Sequence, residues 1–312
     1  MSILSQVSSD PMLQEYVQGA AKAAVAPVAN FIAPGVDVSS ATGKYKSYDN
    51  KERFHIPDTR RSPGGRATIL NFHKGDQTYD CEPNALDVPV EVQASGVEDA
   101  RIQFQEAADL GAQVGGLAHE KNVIDLAIAA LSASAKTWNS SADPVADIDA
   151  VILEVLKAAN FGSLMRPRIC FGANAWEIFK NQANVRGRFV VSSSKGGSGV
   201  GVAVPTMENA STLFLGNPEL AASFLVYDDA AEGVTEDLKF IMSNQILVFA
   251  AVQNPTRFDP SFMKTFRLRG KWMVPGSYMS EDGRSEVAKL DWSEDVKVTN
   301  SAAAKLLTVA TT

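Results

Sequence analysis

Three histidines, two cysteines and one glycine-rich run are the residues of this chain whose types could do chemistry. His55, His73 and His119 stand away from one another and from Cys81 and Cys170, so no pair has the spacing of metal ligands. The HEKNV that begins at His119 lacks the second histidine of a zinc-hydrolase helix. Gly196, Gly197, Gly199 and Gly201 look like a phosphate cradle, but no Lys-Ser/Thr pair follows, and VAVP is a strand-like exit. Ser192 and Lys195 meet an S-x-x-K spacing without its companion motifs, and no G-x-S-x-G elbow exists. Asp143, Asp147 and Asp149 fall in the first turns of a helix, where the dipole favours acids. Arg267, Arg269 and Lys271, with Arg257 and Lys264 nearby, could meet phosphate, yet a solvated or inter-subunit face accounts for them equally well. The sequence therefore assigns no catalytic, cofactor-binding or metal-ligating residue. An α/β nucleotide-binding protein or hydrolase would rest only on residues 196–201 and Ser192.

The elements around these residues suit assembly better. Residues 43–82 form a long hairpin whose halves, 44–56 and 66–79, carry strand-forming Tyr, Phe, Thr and Ile. Pro57, Pro63, Gly64 and Gly65 lie between them and mark the turn. Eight Lys/Arg and five Asp/Glu crowd into residues 43–80, with few large aliphatic side chains. Such an arm has no core of its own and must lie against something else, for which another subunit is the better choice.

Length and composition agree with a folded protein that has one large or two medium domains. The chain has 312 residues, 45% hydrophobic and 21% charged. A formal charge of −7 argues against wholesale coating of a polyanion. The charge is uneven: +3 over 43–80, −9 over 81–160, +4 over 161–212, −5 over 213–256 and +2 over 257–312. Blocks of alternating sign suit a protein that meets copies of itself. Two isolated cysteines fit a reducing compartment, where both stay free. No basic segment precedes an apolar core at the start, so no signal peptide is expected. No aliphatic run is long enough to span a bilayer.

Along the chain, Asp10–Pro11 opens a helix through Met12, Tyr16, Ala20 and Ala24, which Pro27 ends or kinks. A helical stripe starts at Val97, and Gly115–Gly116 predicts a break before a second helix from His119 to about Lys136. That helix turns Val123, Ile124, Ala127, Ile128 and Leu131 inward and Glu120, Lys121 and Asp125 outward, with His119 capping or facing solvent. Asp143–Pro144 caps a helix to Ala159, PRICF at 167–171 is a strand, and a helix from Ala173 to about Gln182 follows. Residues 185–204 read as a loop or irregular hairpin. Strands are expected at 211–215, 223–227, 245–252, 287–292 and 297–299. Residues 266–273 alternate Phe266, Leu268 and Trp272 against the three basic residues.

In this order the chain resembles the major capsid proteins of tailed bacteriophages with the Hong Kong 97-type fold. The resemblance runs from VANFIAPGVDVSSATGKYKSYDNKERFHIPDTRRSPGGRA through TYDCE, TWNSSADPVADIDAVI, RPRICFGANAWEIFKN and ELAASFLVYDDAAEG to SEVAKLDWSEDVKVTNSAAAKLL. It implies an α+β fold with an N-terminal arm at 1–42, an extended E-loop at 43–80 and a peripheral P-domain with a long spine helix at 81–142. An axial A-domain of mixed sheet and helices then covers 143–255, with residues 190–201 as one of its axial loops, and 256–312 returns to the P-domain as terminal strands. The implied function is a shell of hexamers and pentamers around double-stranded DNA, joined to a portal protein and built with a separate scaffolding protein, in a virion assembled in the bacterial cytoplasm. No membrane and no cofactor are implied. An encapsulin-like protein compartment is the alternative shell.

Two details are specific to this chain. A Lys–Asn crosslink between subunits is not expected, because no lysine–asparagine–carboxylate trio can be placed around Lys44, Lys46 or Lys51. Arg60, Arg61 and Arg66 bracket the tip turn with Asp58 as their one nearby acid, so the tip must face water or carboxylates. A neighbouring subunit's acidic block at 81–160 is the expected seat, with Glu98, Asp99 and Glu106 as candidates.

Overall fold

A computed structural model describes residues 27–47, 58–61, 63–66, 75–91, 97–159, 166–191, 201–202, 205–231, 233–252 and 254–311. The helix expected over 11–24, most of the two arm halves, His55, His73, Ser192, Lys195 and Gly196–Gly199 lie outside the described residues. Pro27 begins a helix, Pro27–Ile32, where a helix end was expected. Proline's missing N–H costs nothing in a first turn, so it opens helices readily.

Two five-stranded sheets carry the body. In the first, the order is Ala133–Thr137, Ala304–Ala310, Gln245–Ala251, Arg166–Gly172, Glu219–Ser223, with parallel pairing at both edges and antiparallel pairing inside. Its central strands are apolar on both faces: Ile169, Phe171, Leu247, Val248 and Phe249 are all buried. Helix Pro144–Ala159 covers it with Val145, Ile148, Val151, Ile152 and Val155. Each such side chain contributes roughly 1.5–3 kcal/mol by leaving water. Asp143 caps this helix through the Ala146 N–H at 3.4 Å, as expected from the Asp-Pro step. The PRICF strand and the Ala173–Asn181 helix also stand where expected, with Trp176 edge-on to Phe171.

The second sheet is organised by one strand, Ser285–Val298. Glu82–Glu91 pairs along one edge of it, and Val274–Met279 then Met263–Leu268 along the other, with Gly35–Val38 beyond. Two short strands were expected there; they are one because Glu82–Glu91 pairs across the expected gap as far as Glu294, where Met263–Leu268 takes over on the other edge as far as Val298. The expected strand at 211–215 is a 3-10 turn at Ser211–Leu213. The expected strand at 223–227 is split between Glu219–Ser223 and Val226–Asp228. Part of the expected loop at 185–204 is helical, Ala183–Arg188, and Val190–Val191 then pairs antiparallel with Gly201–Val202.

The expected helix break is absent. Helix Val97–Ala129 runs uninterrupted through Gly111, Gly115 and Gly116. A side chain at Gly115 would meet Leu290 at 3.3 Å and Leu86 at 3.5 Å, so this glycine lets the helix lie close on the second sheet. Packing there outweighs the helix cost of glycine, about 1 kcal/mol. The helix also stops before Lys136: Ala133–Thr137 is a strand, held parallel to Ala304–Ala310.

Residues 266–273 are likewise not one alternating strand. The strand ends at Leu268, and the chain turns at Gly270 and Met273, both with positive φ. Arg267 and Trp272 therefore share a side, the guanidinium 3.7 Å over the indole and bonded to Asn30 at 2.9 Å. Lys264 is fully buried and paired with Asp259 at 3.1 Å. The basic group read from the sequence is thus broken up: Arg257, Arg269 and Lys271 stay exposed, while Arg267 and Lys264 are drawn inward.

Candidate assembly interface

The arm is fastened at its root. Thr42–Ser47 and Gly75–Asp80 pair antiparallel in register Thr42↔Asp80 through Ser47↔Gly75. One face of that pair is aromatic. Tyr79 stacks on Phe266 at 4.6 Å, Tyr45 tilts against the same ring at 5.4 Å, and Val36, Val38 and Cys81 close the cluster. Gly43 leaves room for Tyr79: a Cβ there would stand 2.3 Å from its hydroxyl oxygen. Polar links reinforce the contact. The Asp80 N–H donates to Asp295 Oδ2 at 2.8 Å, Cys81 N–H to Ala41 O at 2.9 Å and Ser293 Oγ to Cys81 O at 2.9 Å.

Both thiols are free and buried. They lie in separate clusters, Cys81 at the arm root and Cys170 in the first sheet's core. Burial, with Asp295, Asp80 and Glu294 adding to it, pushes the Cys81 thiol up to about 11, and burial raises Cys170 as well. Neither is poised as a nucleophile.

At the other end of the arm, Pro63 and Gly64 form the expected turn, with Gly64 at φ 82°. Arg60, Arg61 and Arg66 are all exposed around it. Asp58 accepts from the Arg60 backbone N–H at 3.0 Å. Among the described residues, no acid of the same chain pairs with the three guanidinium groups. Glu106 is exposed on the long helix; Glu98 and Asp99 are in its first turn, their side chains outside the description.

Two buried polar residues, His119 and Glu120, were missed in reading the helical pattern. Helical arithmetic could have found them, since 119 and 120 lie four residues before the inward Val123 and Ile124. Glu120 is fully buried and was expected to face outward. Its Oε2 accepts the Ala29 N–H at 2.9 Å, tying the long helix to Pro27–Ile32. Burial pushes its carboxyl up to about 7, against the lowering effect of that hydrogen bond. His119, expected at a cap or in solvent, is 1% exposed, with Nδ1 against the Glu294 carboxylate at 2.8–3.0 Å. Trp292 Nε1 donates to the same carboxylate at 3.3 Å, and Trp272 lies edge-on to the imidazole.

The three acids near the helix start serve the fold separately. Asp143 pairs with Arg188, Asp147 accepts from Lys136 and Trp138, and Asp149 accepts the Leu215 N–H. Among the described residues, no group of three or more His, Cys, Asp or Glu could hold a metal ion. No described helix is long and apolar enough to cross a membrane.

No protein-family model matches the chain, and no curated protein does. Solved structures do match, at full length and low identity. A phage-related protein from Bordetella bronchiseptica RB50 superposes with TM-score 0.69 at 15% identity, covering 96% of each chain. The mature capsid of bacteriophage PhiM1 gives TM-score 0.53 at 12% identity, over 90% of this chain and 86% of that one. The holo-SrpI encapsulin complex from Synechococcus elongatus PCC 7942 gives 0.54 at 11%, over 90% and 86%. The fold is related to the Hong Kong 97-type capsid and encapsulin fold. What the likeness shows is a shared mixed α+β architecture. In this chain the arm is rooted on Phe266, and among the described residues no acid pairs with the guanidinium groups of Arg60, Arg61 and Arg66.

Proposed function

We propose that this chain is the major capsid protein of a tailed bacteriophage. It assembles as hexamers and pentamers into an icosahedral shell that encloses double-stranded DNA, and it acts by assembly, not by catalysis. Residues 1–42 are the N-terminal arm and 43–80 the E-loop. Residues 81–142 and 256–312 build the P-domain on the long helix and the second sheet. Residues 143–255 are the A-domain, with Ala133–Thr137 and Ala304–Ala310 continuing its sheet at one edge, and 190–201 as an axial loop. A portal protein and a separate scaffolding protein are its partners, and the mature location is the virion.

One observation carries this reading: an arm is locked to the body at its root while the guanidinium groups of its tip have no acid partner among the described residues of its own chain. Three exposed arginines around one turn repel each other, and a neighbour's carboxylates relieve that. The helix-borne candidates for the contact are Glu98, Asp99 and Glu106. A single exposed pair contributes ~0.2–1 kcal/mol, and a closed particle repeats it many times.

The encapsulin match supports a second reading, a shell around protein cargo. Nucleic acid in purified particles favours the first reading, and co-purifying protein cargo the second. The assembly claim is tested by size exclusion with light scattering. Pentamers, hexamers or larger shells are expected, and boiled particles should run as one band near 33.4 kDa without a crosslinked ladder. A clean monomer of that mass at tens of micromolar, across several salt concentrations, contradicts assembly; a ladder contradicts only the absence of crosslinks.

A further inference from the structure

One face of the long helix Val97–Ala129 is apolar and, among the described residues, uncovered. Ile102 and Leu110 are 52% exposed and Val114 is 45% exposed, with the half-buried Leu117 next along. At about 100° per residue these four fall on one side of the helix, and Glu120 continues that side. Phe104 and Gly115 lie on the opposite side, the one packed on the second sheet. Single exposed apolar side chains are ordinary, but a row of them at helical spacing marks a contact face, here interrupted by Glu106 and Gln113. The chain enters the described residues beside this face. Helix Pro27–Ile32 packs on the long helix, and the N–H of Ala29, in its first turn, donates to Glu120 Oε2 at 2.9 Å. Residues 1–26 precede that junction and lie outside the described residues. Their sequence carries a matching pattern. In a helix over 11–24, Met12, Leu13, Tyr16, Val17, Ala20 and Ala24 share one side, and Gln14, Glu15, Gln18 and Lys22 the other.

We propose that residues 11–24 of the same chain form an amphipathic helix that docks along this face, parallel to the long helix. The inference goes beyond the shell reading and does not depend on it, since it concerns a single chain. Length and place both support it. A helix over 11–24 spans about 21 Å, and the face from Ile102 to Leu117 about 22 Å. Pro27 disfavours helix at Ala26, which gives the chain a place to turn between the docked helix and Pro27–Ile32. Counting back from the junction at Glu120 brings Ala20 and Ala24 opposite Val114 and Leu117, where small side chains let two helices approach closely. The larger Met12 and Tyr16 fall opposite the exposed stretch from Ile102 to Leu110. Glu106 then meets the first turn of the docked helix, whose free N–H groups favour a carboxylate. A segment of the same chain is favoured over a second copy because its junction is already fixed beside the face, which gives it a high effective concentration there.

Amide hydrogen exchange on the full-length chain reads the contact. Residues 11–24 should exchange at least tenfold more slowly than the same sequence in an unstructured peptide. Leu110→Gln with Val114→Gln removes the apolar seat at two exposed positions, and circular dichroism checks that the body still folds. Tyr16→Asp with Ala20→Asp changes the segment and leaves the body untouched. In both variants the protection of 11–24 should fall to the unstructured rate. Protection that is absent in the wild type, or unchanged in either variant, overturns the proposal. A short bismaleimide between Ala20→Cys and Val114→Cys identifies the occupant, since the native Cys81 and Cys170 are buried. The expected product has the mobility of one chain. A two-chain product would show a second copy on the face, attachment of Val114→Cys to a different protein would show a partner there, and no product would show neither pairing; each overturns the proposal. A chain that gives the one-chain product yet forms no particles refutes the shell reading alone.

Discussion

Replacing Phe266 by alanine should unseat the arm and cost the subunit about 3–5 kcal/mol. The ring is fully buried and is the shared partner of Tyr79 and Tyr45, so its loss opens a cavity under both arm strands at once. Against a typical domain stability of 5–15 kcal/mol, this is a large share. The strand itself should survive, because its pairing with Ser285–Val298 is made by backbone groups. Urea unfolding should show the lowered midpoint, limited proteolysis should cut residues 43–80 faster, and particle yield should collapse. Tyr79→Phe keeps the stacked ring and should shift stability by no more than ~0.5 kcal/mol. An unchanged midpoint and arm protection in Phe266→Ala would show that the aromatic cluster does not anchor the arm.

The second large effect concerns Glu120 and pH. Its carboxyl stays protonated up to about pH 7 in the folded chain, against an ordinary value of 4.5, with burial as the main cause. The folded state therefore holds a proton that the unfolded state releases from pH ~4.5 upward. Stability from this group is complete below pH 4.5 and is lost as pH rises, until the folded carboxyl ionises near 7. The loss is of order ~3 kcal/mol by pH 8. Glutamine has nearly the same shape, accepts the Ala29 N–H and does not titrate. Glu120→Gln should match the wild type near pH 4.5 and exceed it by ~3 kcal/mol at pH 8 in denaturant unfolding. Because Ala29 belongs to Pro27–Ile32, the wild-type loss should coincide with faster amide exchange in that helix. A stability difference that does not change with pH would show that Glu120 is ionised throughout.

Elements whose signals are local were legible in the sequence. The Asp143–Pro144 cap, the PRICF strand and the Pro63–Gly64 turn depend on neighbours a few residues away, and all three stand where expected. What sequence reading missed was set by distant partners. Gly115 reads as a helix breaker until Leu86 and Leu290 are seen pressing on it. Glu120 and His119 read as surface residues because their polarity outweighed their position on the stripe; their partners, Ala29 and Glu294, are remote in the chain. Trp272 falls beside Arg267, not opposite, because the strand ends at Leu268 and the chain turns back. At the interface, the exposed arginine tip could be read directly. The cavity at the arm's root could not, since Asp80, Glu82, His119 and Glu294 meet only after the long helix and the long strand have packed together.

An electron micrograph of the purified full-length chain, taken at assembly concentration, tests the central claim most directly. The arm-linked shell reading predicts closed, hollow particles of uniform size, made of this chain and lost in the Phe266→Ala variant. A field of separate 33.4 kDa subunits, unchanged across concentration and salt, would contradict it.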